Sequence, residues 1–322
     1  MDETFDAVLA KAARDSLRAP SLFNSQPWRW RIDAGSLELL VDRDRRLTVV
    51  DPDGRMLLLS LGCALHHARV AIAAAGWVAE VERVTNGDVL ARIRLLRRQP
   101  ADPESQALYE AMARRRSDRR PFGDEPVPPE YLASVVRATD SEDVHVHQVR
   151  LDQMPMLAIA VAEAGSAEMA DPAYRVELMR WTNRPEWSGD GVPPETTVER
   201  APRRVPVREF TLPPRDGIGV EPGGDRGAAY LVLYGWADQP GDWLRAGEAL
   251  SALLLTATVR GLSTAVISDV IEVDHTRDLV RGLLPSGGNP YVVVRCGWGI
   301  DGDVPAAPRR EPDETIEGLP LM

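Results

Sequence analysis

The sequence predicts a protein of mixed helices and strands built as two related halves, and three observations carry that expectation. Short apolar strands alternate with helical segments along most of the chain. Two long apolar helices share a pattern: Gly62-Cys63-Ala64-Leu65 precedes Gly76-Trp77, and Gly247-Glu248-Ala249-Leu250 precedes Gly261-Leu262. Both glycine pairs span 14 residues, and each helix follows a short apolar strand, as a duplicated unit requires. The 322 residues, 44% hydrophobic and 27% charged, suffice for a folded core with room for a cofactor.

In chain order, Phe5, Val8, Leu9, Ala12 and Ala13 recur at helical spacing, and Pro20 halts that helix. Trp28–Ile32 and Leu37–Val41 read as strands around an Asp33-Ala34-Gly35 turn. Met56 to Val78 reads as a buried helix ending near Gly76. Val89–Leu96 follows as a strand and Glu104–Ala113 as a helix running into Arg114-Arg115-Arg116-Ser117-Asp118-Arg119-Arg120. Pro121, Pro126, Pro128 and Pro129 make the next stretch extended. Glu130–Thr139 and Met154–Ala170 read as helices around a strand at Val144–Val149. From Asp171 to Gly224 prolines and glycines loosen the pattern; order returns with a Tyr230–Tyr234 strand, a Trp243–Arg260 helix and a Tyr291–Cys296 strand.

Composition removes several function classes. A net charge of -11 disfavours general binding to nucleic acid or anionic lipid. Lys11 is the only lysine and sits in a plain amphipathic segment, which argues against Schiff-base and P-loop chemistry. Cys63 and Cys296 are too few and too distant for a disulfide framework or a CxxC metal site. The acidic start and the lack of an uncharged run of 18 apolar residues make cytoplasm the expected location, with no membrane partner. His145 and His147 share a strand face but lack a completing carboxylate or thiol pattern, so no metal is expected. No GxSxG elbow occurs. Gly297-Trp298-Gly299-Ile300-Asp301-Gly302 fits GxGxxG, but Pro305 and Pro308 follow where a dinucleotide fold needs a helix. Those glycines are expected to shape a strand exit delivering Arg309 and Arg310.

Arg115, Ser117 and Arg119 have the chemistry of a phosphate clamp, since guanidinium forks match phosphate oxygens and a hydroxyl adds a donor. A solvated loop is the alternative for such a run. The scarcity of acid–base candidates suits a cofactor that carries the chemistry itself.

Three motifs carry a resemblance to the nitroreductase superfamily. Ala19-Pro20-Ser21-Leu22-Phe23-Asn24-Ser25-Gln26-Pro27-Trp28 resembles its PSxxNxQPW segment; Arg115 to Arg119, with Phe122 and Val127-Pro128, resembles its Arg-Ser flavin motif; Arg295-Cys296-Gly297-Trp298 and Pro308-Arg309-Arg310-Glu311-Pro312 resemble its ending. Conventional members are homodimers that split these motifs between subunits at each flavin. Here the N-terminal half has the PSxxN loop and the C-terminal half the Arg-Ser motif. That order, with Arg180-Trp181-Thr182 and Asp190-Gly191-Val192-Pro193, is similar to the dormancy-associated Acg group of actinobacterial fused pseudo-dimers.

The resemblance implies a three-layer α+β nitroreductase-like sandwich with halves at 1–112 and 113–322, and a lid-like insert at about 171–224. It implies one FMN (flavin mononucleotide) at the seam, with Pro20, Ser21, Asn24 and Gln26 on one side. Arg115, Ser117 and Arg119 would lie on the other, helped by Arg309 or Arg310, with Ser268 near the reactive end. Relatives present a Glu-Gly pair where this chain has Ser268-Asp269. The implied function is electron transfer from NAD(P)H to a nitro-aromatic, quinone or similar acceptor, with flavin N5 as the reacting centre and no catalytic side chain. The alternative is a flavin-sequestering protein with Trp181 or Trp187 over the cofactor. A fused dimer makes a monomer sufficient.

Overall fold

A computed structural model describes residues 4–84, 87–139, 144–198, 203–210, 224–300 and 302–319. The first half begins with α1 (Phe5–Ser16), whose N-cap Thr4 accepts a hydrogen bond from the Ala7 N–H. Strands β1 (Trp28–Asp33) and β2 (Ser36–Val41) form a hairpin that turns at Ala34 and Gly35, with φ of 47° and 73°. Then come α2 (Arg55–Ala74), β3 (Trp77–Arg83), β4 (Val89–Arg98) and α3 (Pro103–Arg114).

The second half repeats this order with insertions. It contains α4 (Pro129–Arg137), β5 (His145–Gln148), α5 (Met154–Ala170), α6 (Pro172–Thr182), β6 (Ala229–Gly235) and α7 (Pro240–Val259). After these come β7 (Ser263–Ile267), α8 (Asp269–Glu272), α9 (Asp274–Arg281), β8 (Asn289–Gly297), α10 (Pro312–Thr315) and β9 (Ile316–Glu317).

One sheet runs β3-β4-β2-β1-β9 and the other β7-β8-β6-β5. Apart from β9, corresponding strands occupy corresponding places, and all those pairs are antiparallel. The architecture is therefore α+β in two related halves. In the second half the turn between β5 and β6 is replaced by a long insertion containing α5 and α6. The β9 strand pairs parallel to β1, Trp30 with Ile316, so the C-terminal segment crosses back onto the first sheet. That crossing carries residues 305–310 along the seam.

Helices α2 and α7 meet at their repeated glycines. A Cβ on Gly62 would collide with the Leu244 carbonyl and the Gly247 backbone, and one on Gly247 with the Leu59 carbonyl. The clash is reciprocal, and residues 59 and 244 differ by the same 185 positions as Gly62 and Gly247. The sequence repeat thus marks the crossing point of two backbones packed too closely for any side chain. Helix α2 is long and apolar enough to cross a membrane, but it is mostly buried within the protein.

Two elements differ from the sequence reading. Strand β3, which the sequence reading does not assign, starts at Trp77 directly after the helix, because Gly76 turns the chain at φ 79°. The supposedly irregular region opens with α6, capped by Asp171, whose side chain accepts from the Ala173 N–H. Its surrounding prolines mask a buried face of Tyr174, Leu178 and Trp181, which packs with Phe23, Leu47, Val50 and Val192. Of the expected lid, 199–202 and 211–223 lie outside the described residues.

Candidate functional site

The loop before β1 is held in a demanding conformation. Phe23, Asn24 and Gln26 all have positive φ, at 50°, 52° and 48°. Non-glycine residues pay for that region with strain, so the surroundings must over-determine it. They do: Leu22 N–H donates to Ser60 Oγ on α2 at 3.2 Å, and Gln26 N–H donates to Ser21 Oγ at 2.9 Å. Asn24 Nδ2 donates to the Pro308 carbonyl at 3.0 Å, and Trp28 is fully buried in the core.

This loop walls a two-lobed cavity between the halves. The apolar lobe encloses about 1000 Å³, partly open to solvent, between Met56, Leu59 and Cys63 of the first half and Tyr230, Leu250 and Ala265–Asp269 of the second. The polar lobe, about 950 Å³ on the same measure, is lined by Asn24, Arg115, Arg116, Thr196 and Arg309. Pro20, Ser21, Phe23, Ser117 and Arg119 line both, so the lobes are continuous.

The polar lobe carries positive charge without counter-charge. Arg115 is buried, and burial pushes its guanidinium down to about 10. Burial likewise lowers Arg119 to about 10, reinforced by Arg208, and Arg309 to about 9, reinforced by Arg115, Arg116 and Arg18. Among the described residues no carboxylate forms an ion pair with any of the three. Arg119 donates to the Thr196 carbonyl at 3.0 Å; Arg309 donates to Asn24 Oδ1 at 3.2 Å and to the Arg18 carbonyl at 3.0 Å. Arg115 Nε and Arg309 Nε are buried without a partner. Such a cluster is stable when an anion completes it. Sequence proximity alone does not explain the pattern, because neighbouring Asp118 is consumed by Arg120 at 2.9 Å.

Residues 205–208 and Phe210, from the long insertion, line the apolar lobe. Phe210 meets Phe23 edge-on with ring centres 5.9 Å apart, and Arg119 lies 4.4 Å over the Phe210 ring. Arg208 anchors this segment. It donates to Glu168 Oε1 at 2.9 Å and Glu272 Oε2 at 2.6 Å, lies 4.0 Å from Asp269, and stacks 5.2 Å over Phe23. Burial, with Glu272 and Asp269 adding to it and Arg208 opposing it, pushes the Glu168 carboxyl up to about 8.

The structure thus brings Pro20, Ser21, Asn24, Arg115, Ser117, Arg119, Ser268 and Arg309 to one cavity. Gln26 and Arg310 line neither lobe. Arg310 instead reaches Asp42 at 3.3 Å, so Arg309 is the tail cation at the cavity. Neither tryptophan lines it: Trp181 is core, Trp187 is 87% exposed, and the insertion residue with an aromatic ring at the cavity is Phe210. His147 hydrogen-bonds Gln153, and His145 packs against Tyr234 and Trp236. The cluster of Arg208 with Glu168 and Glu272 went unread because its members are spread over three distant segments. Gly297 ends β8 as a strand exit; Asp301 lies outside the described residues.

The repeat offset of 185 relates Cys63 to Glu248 and Ser268 to Arg83. At that second position Glu248 is fully buried, paired with Arg83 at 2.6 Å and also with Arg69. Charged side chains therefore fill the place where the first site has a small thiol and a hydroxyl.

The chain is 39% identical over 326 residues, 98% of its length and 91% of the other's, to the Mycobacterium tuberculosis H37Rv protein Rv3131, provisionally named an NAD(P)H nitroreductase. It is 38% identical over 319 residues, 96% and 95% of the two chains, to the same organism's acg protein, which bears the same provisional name. No family model matches. A solved nitroreductase with bound FMN from Desulfitobacterium hafniense aligns at 15% identity over 63% of this chain and 94% of that one, with a TM-score of 0.40.

Proposed function

We propose, on the premise that this chain belongs to the Acg-like nitroreductase family, that it is a flavoprotein oxidoreductase holding one FMN at the seam between its halves. The observation that carries the reading is the polar lobe, where Arg115, Arg119 and Arg309 converge with no carboxylate paired to them among the described residues. A flavin phosphate would supply the missing charge, held by the guanidinium groups of Arg115, Arg119 and Arg309 that line this lobe. Ser21 Oγ already accepts from Gln26 N–H, which leaves its own proton to donate. The adjoining apolar lobe suits a fused ring system and excludes water from it. Filling of the repeat-related position by Glu248, Arg69 and Arg83 favours one cofactor per chain.

When bound, FMN supplies hydride chemistry, so no protein nucleophile is required. The chain's residues bind the phosphate, orient the cofactor and limit access to it. The electron donor in this reading is NAD(P)H and the acceptor a nitro-aromatic, quinone or similar compound. A flavin absorbance band in the purified protein, bleached anaerobically by NADH or NADPH, is the expected result; a flavin-bearing protein that neither nucleotide reduces refutes turnover.

A second reading is favoured by this part of the insertion. Residues 205–208 and Phe210 line the apolar lobe, and Arg208 is held by buried carboxylates. On this reading the segment closes over bound flavin, the protein sequesters it, and an external reductant bleaches it only after the segment opens.

A further inference from the structure

Gln26 lines neither lobe of the cavity, yet it ties together the three segments that shape the polar one. Its Nε2 donates to the Gly189 carbonyl of the insertion at 2.7 Å and to the Asn24 carbonyl at 3.3 Å. Its Oε1 accepts from the Arg310 backbone N–H at 3.0 Å. The side chain is fully buried, so these bonds have no ready replacement by water. On the other side of the C-terminal tail the backbone runs against Gly189, where a Cβ would collide with the Arg309 carbonyl. The tail is thus clamped at residues 309–310, between the motif loop and the insertion, in a stretch without regular secondary structure.

The clamp determines what Arg309 can do. Arginine is long and flexible, and from an unfixed backbone its guanidinium would sample solvent as readily as the cavity. Here its Nη atoms are spent on the carbonyls of Arg18, Ala19, Ala307 and Pro308 and on Asn24 Oδ1, while Nε stays buried and unpartnered. Gln26 sits one residue away, on the Arg310 amide. We propose that Gln26 is a positioning residue that fixes the depth at which Arg309 enters the polar lobe, and so sets the preference for a phosphorylated flavin over an unphosphorylated one. The inference rests on the flavin reading above.

A merely structural glutamine would weaken both flavins alike when removed; a positioning one would weaken only the flavin whose phosphate Arg309 meets. The test titrates flavin-free protein with FMN and with riboflavin, following flavin fluorescence, for wild type, Gln26→Met, Arg309→Ala and the double variant. Gln26→Met should lower FMN affinity by about tenfold or more while riboflavin affinity holds within about twofold. The double variant should lose no more than Arg309→Ala alone. Equal losses for both flavins, an unaltered FMN-to-riboflavin ratio, or additive losses in the double variant overturn the proposal. Should Gln26→Met not fold, the neutral and shorter Gln26→Asn withdraws the acceptor from the Arg310 amide and is read the same way. A wild type that binds neither flavin overturns the flavin reading and this proposal together; one that prefers FMN, with the ratio intact in the variant, overturns this proposal alone.

Discussion

Replacing Arg115 with methionine should make the flavin-free protein more stable and the flavin-binding protein worse. The guanidinium is 7% exposed, and burial drives its pKa from 12.5 down to about 10. At pH 7 the group is charged in both the folded and the unfolded chain, so the depressed pKa is a standing cost of about 3 kcal/mol, relieved only above about pH 10. Methionine fills a similar length without a charge to desolvate, so the flavin-free variant should gain about 1–3 kcal/mol. Loss of a charge-assisted hydrogen bond to phosphate should cost about 1.5–3 kcal/mol of binding, roughly 10- to 100-fold in Kd. Urea denaturation of both flavin-free proteins, with FMN titration of each, measures the two effects. A variant that is less stable than wild type without flavin, yet binds FMN with unchanged affinity, would refute the anion-site argument.

Two further predictions concern residues 205–210 and the helix crossing. Glu168 faces Arg208 on that segment, Tyr174 on α6, and Asp269 and Glu272 on α8, and its carboxyl is raised from 4.5 to about 8. On the proposed sequestering reading, a pKa raised with residues 205–210 in place means that closure is fully supported below about pH 4.5 and weakens as pH climbs to about 8, so the anaerobic rate of flavin reduction by dithionite should rise through that window, by at most about tenfold per pH unit. Glu168→Gln should flatten the profile; an unchanged profile in that variant would remove Glu168 from the latch. At the crossing of α2 and α7, Gly62→Ala should destabilise by about 3 kcal/mol in urea denaturation, because the colliding atoms are backbone. Gly165→Ala in α5, with open space around it, should instead stabilise by about 0.5–1 kcal/mol; equal effects at the two sites would discredit the close crossing.

Much of this was legible in the chain because the deciding physics is local. The β1–β2 turn and the limits of α3 and α5 follow from turn chemistry, capping and apolar spacing within a few residues. The unread elements, among them β3 and α6, failed for a related reason. Trp77-Val78 continues an apolar run whose end depends on a single glycine, and α6 is helical within a proline-rich context because its buried face meets Phe23 and Val50 from the other half.

By itself, the sequence marked a duplication through two glycine-bearing helices, and singled out an arginine–serine segment and a Pro-Ser-Asn loop as the candidates for binding chemistry. Each is a statement about residue type at short spacing, which a chain carries whether folded or not. Only the tertiary structure decided which of those residues share a cavity. It placed Arg309 there and turned Arg310 toward Asp42; it withdrew Gln26 from the cavity to clamp the tail; it lined the apolar lobe with Phe210 in place of a tryptophan. Those outcomes depend on contacts between segments more than a hundred residues apart, and on which buried charges find a partner. Burial and pairing exist only once the halves have packed.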